Sequence, residues 1–188
     1  VWREVGESSI GKVQQWHGNS GAVVRAWAFY RRYGRELERM SEHAVLNANY
    51  LRHRIMNPDP ETVERMHAMP LDGAPVEVVK HEFTLSMSAL KDAVGVTGRD
   101  VAKRLLDYGV MAPTLYFPMI VPECLMIEPT ETETKETLDY FIEVMKEIAR
   151  EAKDNPKLLH EAPHNTPNTR LDEARAARQP DLRWKAPE

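Results

Sequence analysis

His81-Glu82-Phe83-Thr84-Leu85-Ser86-Met87 is the stretch on which the fold turns, because apolar and polar residues alternate along it. In an extended chain His81, Phe83, Leu85 and Met87 fall on one side and Glu82, Thr84 and Ser86 on the other, the pattern of a half-buried strand. Residues 76–79 extend the pattern toward the N-terminus. Downstream, a short helical run closes at Gly95, and Thr97-Gly98-Arg99-Asp100 is a near capping box. It opens a helix with Val101, Leu105 and Tyr108 on one face and Gly109 as its stop. Two short strand candidates follow, 115–117 and 124–127. Thr130 and Glu133 then form a second capping box, before a helix with Leu138, Phe141, Met145, Ile148 and Ala152 on its core face.

Upstream the period is helical throughout. Asn19 or Ser20 can cap a helix ending at Gly34, whose apolar residues from Ala22 to Tyr30 cover most of its circumference, so a buried helix is expected. A second helix over 36–56 carries Leu37, Met40, Ala44, Ala48, Leu51 and Ile55 at spacings of three and four, and Asn57-Pro58 stops it. All 13 prolines fall in the windows 58–75, 113–129 and 156–187, which leaves the long helices free of them. The expected class is therefore α+β: a short sheet covered by helices and preceded by a long helical pair. Three parts are expected: a helical segment 1–57, a small α+β domain 58–154, and an extended arm 155–188 that keeps Leu171, Leu182 and Trp184 for docking on a neighbour.

Composition narrows the function classes. With 188 residues the chain can bury a sizeable core without staples, and a net charge of −4 gives no basic footprint for nucleic acid or anionic membrane. A single cysteine, Cys124, suits a reducing compartment, so the cytoplasm is the expected location. No apolar run approaches 18 residues, and the first residues do not read as a signal peptide. Val1 in place of an initiator Met points to a chain cut from something longer, with missing chemistry upstream.

Few motifs carry chemistry by themselves. His160-Glu161-Ala162-Pro163-His164 matches H-E-x-x-H, but Pro163 breaks the helix that would set both imidazoles on one face, so no metal site is assigned. Gly18-Asn19-Ser20-Gly21 precedes a helix whose free N–H groups suit an anion or cofactor edge, or serves simply as a turn and cap. Cys124 begins an apolar run and reads as a core thiol. His81 shares its side with Phe83 and Leu85, which places it at the edge of the core or facing a cleft. Glu128 reads as strand exit and has no visible acid–base partner. Arg170, Arg175, Arg178 and Arg183 are interleaved with Asp172, Glu173 and Asp181, which favours surface pairing.

Several segments in order resemble one family, the glycine-cleavage P-protein or glycine dehydrogenase (decarboxylating), in particular subunit 2 of its two-subunit prokaryotic form. They include Gly18-Asn-Ser-Gly21 with Val24-Arg-Ala-Trp-Ala-Phe-Tyr30, Ala44-Val-Leu-Asn-Ala-Asn-Tyr-Leu51, and His81-Glu-Phe-Thr-Leu-Ser86. Asp100-Val-Ala-Lys-Arg-Leu-Leu-Asp-Tyr-Gly109, Ala112-Pro-Thr114 and Leu125-Met-Ile-Glu-Pro-Thr-Glu-Thr-Glu133 continue the series, and Arg170-Leu-Asp-Glu-Ala-Arg-Ala-Ala-Arg178 closes it.

The resemblance implies the C-terminal small domain of a fold-type-I enzyme dependent on pyridoxal phosphate, with the cofactor-binding large domain upstream. It implies release of CO2 from glycine, transfer of the aminomethyl group to the lipoyl group of the H-protein, and assembly with subunit 1 into a hetero-oligomer. The family's Schiff-base lysine lies in a His-Lys segment that none of the nine lysines here matches, so the chain alone is expected to be inactive and no catalytic residue is assigned within it. Met111 stands where many members carry His before Ala-Pro-Thr. The resemblance implies cleft positions for Asn19, Ser20, His81 and Thr114. The competing expectation is a subunit-assembly or binding module without catalytic residues. A chain lacking its large domain is also expected to self-associate through its apolar helix.

Overall fold

The computed structural model describes residues 7–8, 18–56, 67–69 and 78–184. It divides into two compact units, 1–40 and 41–188. In the first, α1 (Ser20–Tyr33) is capped by Asn19, whose side-chain oxygen accepts the Ala22 N–H at 3.1 Å. Gly34 ends it at a φ of 51°, where its N–H donates to the Tyr30 carbonyl. The apolar side chains of α1 are not buried as the sequence led us to expect: Trp27 is 64% exposed, and Val23, Val24 and Tyr30 are similarly open. An apolar circumference shows what a helix prefers to touch, whereas burial depends on what lies against it.

The second unit holds the core. Helix α2 (Leu37–Met56) turns Ala48, Leu51 and Ile55 inward, as its spacing predicts, and Asn57 and Pro58 lie outside the described residues. Four antiparallel strands follow the order β1-β2-β4-β3, with β1 at His67–Met69, β2 at Phe83–Ser86, β3 at Thr114–Leu115 and β4 at Cys124–Ile127. The register sets Phe83 opposite Ile127, Leu85 opposite Leu125, and Thr114 opposite Met126. Helices α3 (Ser88–Val94), α4 (Gly98–Asp107) and α5 (Lys135–Asp154) complete the core with Leu90, Val101, Leu105, Ile142, Met145 and Ile148. The α+β class read from the sequence is the class observed.

Three local readings change. Strand β2 is buried on both faces rather than one, with Thr84 and Ser86 inside. Ser86 Oγ donates to the Pro122 carbonyl at 2.7 Å, so a small hydroxyl enters the interior already paired, and polarity misreports its exposure. Strand β3 ends before Tyr116, whose φ of 58° turns the chain out of the sheet. Helix α5 starts at Lys135 with Thr134 as its cap, not at the Thr130–Glu133 box. Residues 130–133 form a turn instead, because the Asn47 amide of α2 donates to the Thr130 and Glu133 carbonyls at 2.8 and 3.3 Å. The Thr97–Asp100 capping box forms in both directions, and Gly109 follows α4 at a φ of 71°.

A charged hub joins α4 to α5. Arg104 grips Glu151 through Nε at 2.9 Å and Nη2 at 2.6 Å, and its Nη1 donates to Asp107 Oδ2 at 3.0 Å. Tyr108 donates its hydroxyl to Glu151 at 2.8 Å. Burial pushes the Asp107 and Glu151 carboxyls upward, but backbone N–H groups of Asn165 and His164 at Asp107, and Arg104 with Tyr108 at Glu151, outweigh it and leave both below their ordinary values. Those ordinary values are 3.8 and 4.5, so on acidification the unfolded chain takes up protons before the folded one does. The hub's contribution is therefore complete above that range and is lost as pH falls through the lower folded-state values. We expect the thermal midpoint, followed by calorimetry, to decline below about pH 4. A midpoint unchanged down to about pH 3 would contradict the assignment.

Candidate functional site

Strand β4 leaves the sheet at the end where β2 and β3 begin, and the polar residues of this end are the candidate site. Because Phe83 pairs with Ile127 at the end of the ladder, the next residues along the two strands, Glu82 and Glu128, emerge at the same end of the sheet. His81 stands between them, with Nε2 at 3.8 Å from Glu82 and 3.9 Å from Glu128, and the imidazole is about half exposed. Thr114, the first residue of the outer strand β3, is exposed at this end, one residue from the pair. Met111, three residues earlier, is also exposed. An open imidazole flanked by two carboxylates, with a hydroxyl on the neighbouring strand, can give and accept hydrogen bonds from a polar molecule arriving from solvent.

Glu128 thus has the partner that sequence reasoning did not find. Strand register was the missing signal, since two segments some forty residues apart meet only once their pairing is known. Asn19 and Ser20 lie in the first unit, where the Asn19 side chain serves as the α1 cap.

The other singled-out groups take structural roles. Cys124 is buried, its Sγ donates to the Phe117 carbonyl at 3.1 Å, and burial pushes the thiol pKa up, away from nucleophilic use. His160 ends α6 (Pro156–His160) beside Asp100, whereas His164 faces the Leu158 carbonyl at 2.8 Å, so the two imidazoles of the H-E-x-x-H match diverge. Among the described residues no cluster of three or more His, Cys, Asp or Glu side chains can hold a metal ion. Arg170 does not pair with the acids beside it; it reaches Asp100 on α4 at 2.5 Å. No helix among the described residues is long and apolar enough to cross a membrane.

Residues 40–167 match the family model of the glycine dehydrogenase C-terminal domain. The chain belongs to this family. It is 50% identical over 178 residues to the probable glycine dehydrogenase (decarboxylating) subunit 2 of Methylococcus capsulatus, a match covering 94% of the chain and 34% of that relative. Proteins of the same name from Coxiella burnetii and Caldanaerobacter subterraneus are 50% and 51% identical over 177 residues, again covering 94% of the chain and 34% of the relative. The chain therefore spans about a third of the length of these curated relatives. The match runs through the candidate end of the sheet, since His81, Thr114 and Glu128 all lie within the residues 40–167 that match the glycine dehydrogenase C-terminal domain.

Proposed function

We propose that the chain is the C-terminal part of a glycine decarboxylase subunit of the glycine cleavage system. The observation that carries this reading is identity near 50% across 94% of the chain to proteins named glycine dehydrogenase (decarboxylating) subunit 2. On this reading the whole cytoplasmic protein pairs with subunit 1, binds glycine, releases its carboxyl group as CO2, and passes the aminomethyl group to the lipoyl group of the H-protein. Pyridoxal phosphate, when bound, supplies the electron sink that decarboxylation of an amino acid requires.

The described residues do not fit the covalent seat of that cofactor. Lys91, Lys103, Lys135, Lys146 and Lys157 are held in ion pairs by carboxylates, and Lys80 and Lys153 are exposed. Every buried side-chain polar atom among the described residues already has a partner. On this reading no step runs through the described lysines, and the attachment lysine lies in the part of the protein that precedes this domain. Residues 1–57 would link to the preceding large domain, 58–154 would form the small domain, and 155–188 its arm. Asn19, Ser20, His81 and Thr114 would contribute polar contacts to a cleft wall that the rest of the protein completes.

A second reading, an assembly module without catalytic residues, is favoured by the exposed apolar side chains of α1. One experiment separates the two. In the complete enzyme with subunit 1 and lipoylated H-protein, Ala at positions 19, 20, 81 and 114 is expected to lower glycine-dependent CO2 release by roughly tenfold or more. Unchanged release from a normally assembled enzyme would overturn the cleft placement and favour the assembly role.

A further inference from the structure

We infer that residues 161–178 form a strap fastened along α4, and that Asp100 couples release of this strap to fraying of the first turn of α4. The inference stands apart from the reaction proposed above, because it rests on contacts within the second unit. Three fastenings lie along α4. At the C-terminal end Asp107 Oδ1 accepts the backbone N–H groups of His164 and Asn165 at 2.5 and 2.6 Å. At the N-terminal end Arg170 donates to Asp100 Oδ1 at 2.5 Å and to the Ala162 carbonyl at 3.2 Å. Beyond it Glu173, in α7 (Glu173–Arg178), pairs with Arg99 and approaches Lys103 at 3.8 Å. Arg99, Lys103 and Asp107 follow each other at intervals of four, so they form one ridge of the helix. The strap runs antiparallel to that ridge, covering the roughly 10 Å from Asp107 back to Asp100.

Asp100 is the shared part. Its Oδ2 accepts the Thr97 N–H at 2.9 Å and the Thr97 hydroxyl at 2.7 Å, closing the capping box of α4. The other oxygen holds Arg170, and the side chain is only 5% exposed. Around it stand Arg99 from its own helix, Thr97 from the cap, His160 at 3.3 Å from α6, Arg170 from the strap and, from the turn after β3, Tyr116. When the strap leaves, a nearly buried carboxylate loses its direct guanidinium partner and must turn toward water or stay uncompensated. Turning toward water opens the capping box. The strap and the first turn of α4 therefore come loose together.

Amide hydrogen exchange on the full chain tests the coupling. Arg170→Gln removes the cation that the strap sets against Asp100 without touching the capping box. It is expected to raise exchange about tenfold in residues 175–178, whose amides are bonded within α7 and its cap, and equally at Asp100 and Val101. Arg170→Lys should recover part of that protection. Asp107→Asn should loosen His164 and Asn165 and leave Asp100 and Val101 as they were. Unchanged exchange at Met145 and Ile148 shows that each variant is folded. If Arg170→Gln loosens the strap while Asp100 and Val101 stay protected, or leaves the strap protected, the inference is overturned.

Discussion

Replacing Arg104 with Met is expected to lower the thermal midpoint by roughly 10 °C, the largest effect of any single exchange on the charged surface. The reason is the ratio of charges. One guanidinium serves two carboxylates, Glu151 through two of its nitrogens and Asp107 through the third, and the Asp107 side chain is only 1% exposed. Methionine keeps much of the aliphatic stem and its packing near the Tyr108 ring, which lies 4.9 Å from the guanidinium carbon, so the exchange isolates the charge. Breaking a buried pair in this way leaves uncompensated charge and costs about 3–5 kcal/mol. Lysine restores one positive charge without the planar fork and should recover only part of the loss. The exposed Lys157–Glu161 pair provides the contrast, and Lys157→Met should cost less than about 1 kcal/mol. The gap between Arg104→Met and the parent should narrow as pH falls, because protonated carboxyls no longer need the cation. A variant within about 2 °C of the parent at neutral pH would show that water or rearrangement compensates both carboxylates.

The hub also marks where sequence reasoning stops. The Thr97–Asp100 cap and the Gly109 stop were legible because donor, acceptor and backbone turn lie within a few residues of one another. Arg104 and Glu151 are 47 residues apart, and each sits on a helix with nearer opposite charges, so nothing local marks them as partners. The start of α5 was misread for the same reason, since the Asn47 amide that holds residues 130–133 in a turn comes from another helix. Apolar periodicity located the inward faces of α2 and α5 correctly, yet it overstated α1, none of whose residues is buried. The candidate site followed the same division. His81 could be named from the sequence and Thr114 through the resemblance, but Glu128 joined them only through the pairing of β2 with β4. Substrate and cofactor were legible through resemblance alone, which is why they enter as a proposal.

Gly98→Ala is expected to destabilise the second unit by about 1–3 kcal/mol, although helix propensity by itself favours Ala. The decision rests on what the new methyl would meet. A Cβ at position 98 would lie 2.9 Å from the Glu123 carbonyl oxygen and 3.4 Å from its carbon, both backbone atoms. That oxygen is already committed, because it accepts the Met87 N–H at 3.1 Å at the point where β2 gives way to α3. The Glu123 backbone is held at a φ of 50°, and its carboxylate accepts the Gly98 N–H at 3.0 Å while pairing with Lys91 at 2.5 Å. Displacing Glu123 to admit the methyl would strain a bond at the end of the β2–β4 ladder and a bond at the start of α4 together. The propensity gain of Ala over Gly is at most about 1 kcal/mol and refers to a helix interior, whereas Gly98 is the first residue of α4, with no intrahelical partner for its N–H. Steric cost therefore wins over propensity. Alongside the lower midpoint, the Met87 amide should exchange faster in the variant, because its acceptor is the atom that must move. A midpoint raised by the substitution would mean that the loop before β4 yields freely and that propensity, not the close approach of α4 to Glu123, governs this position.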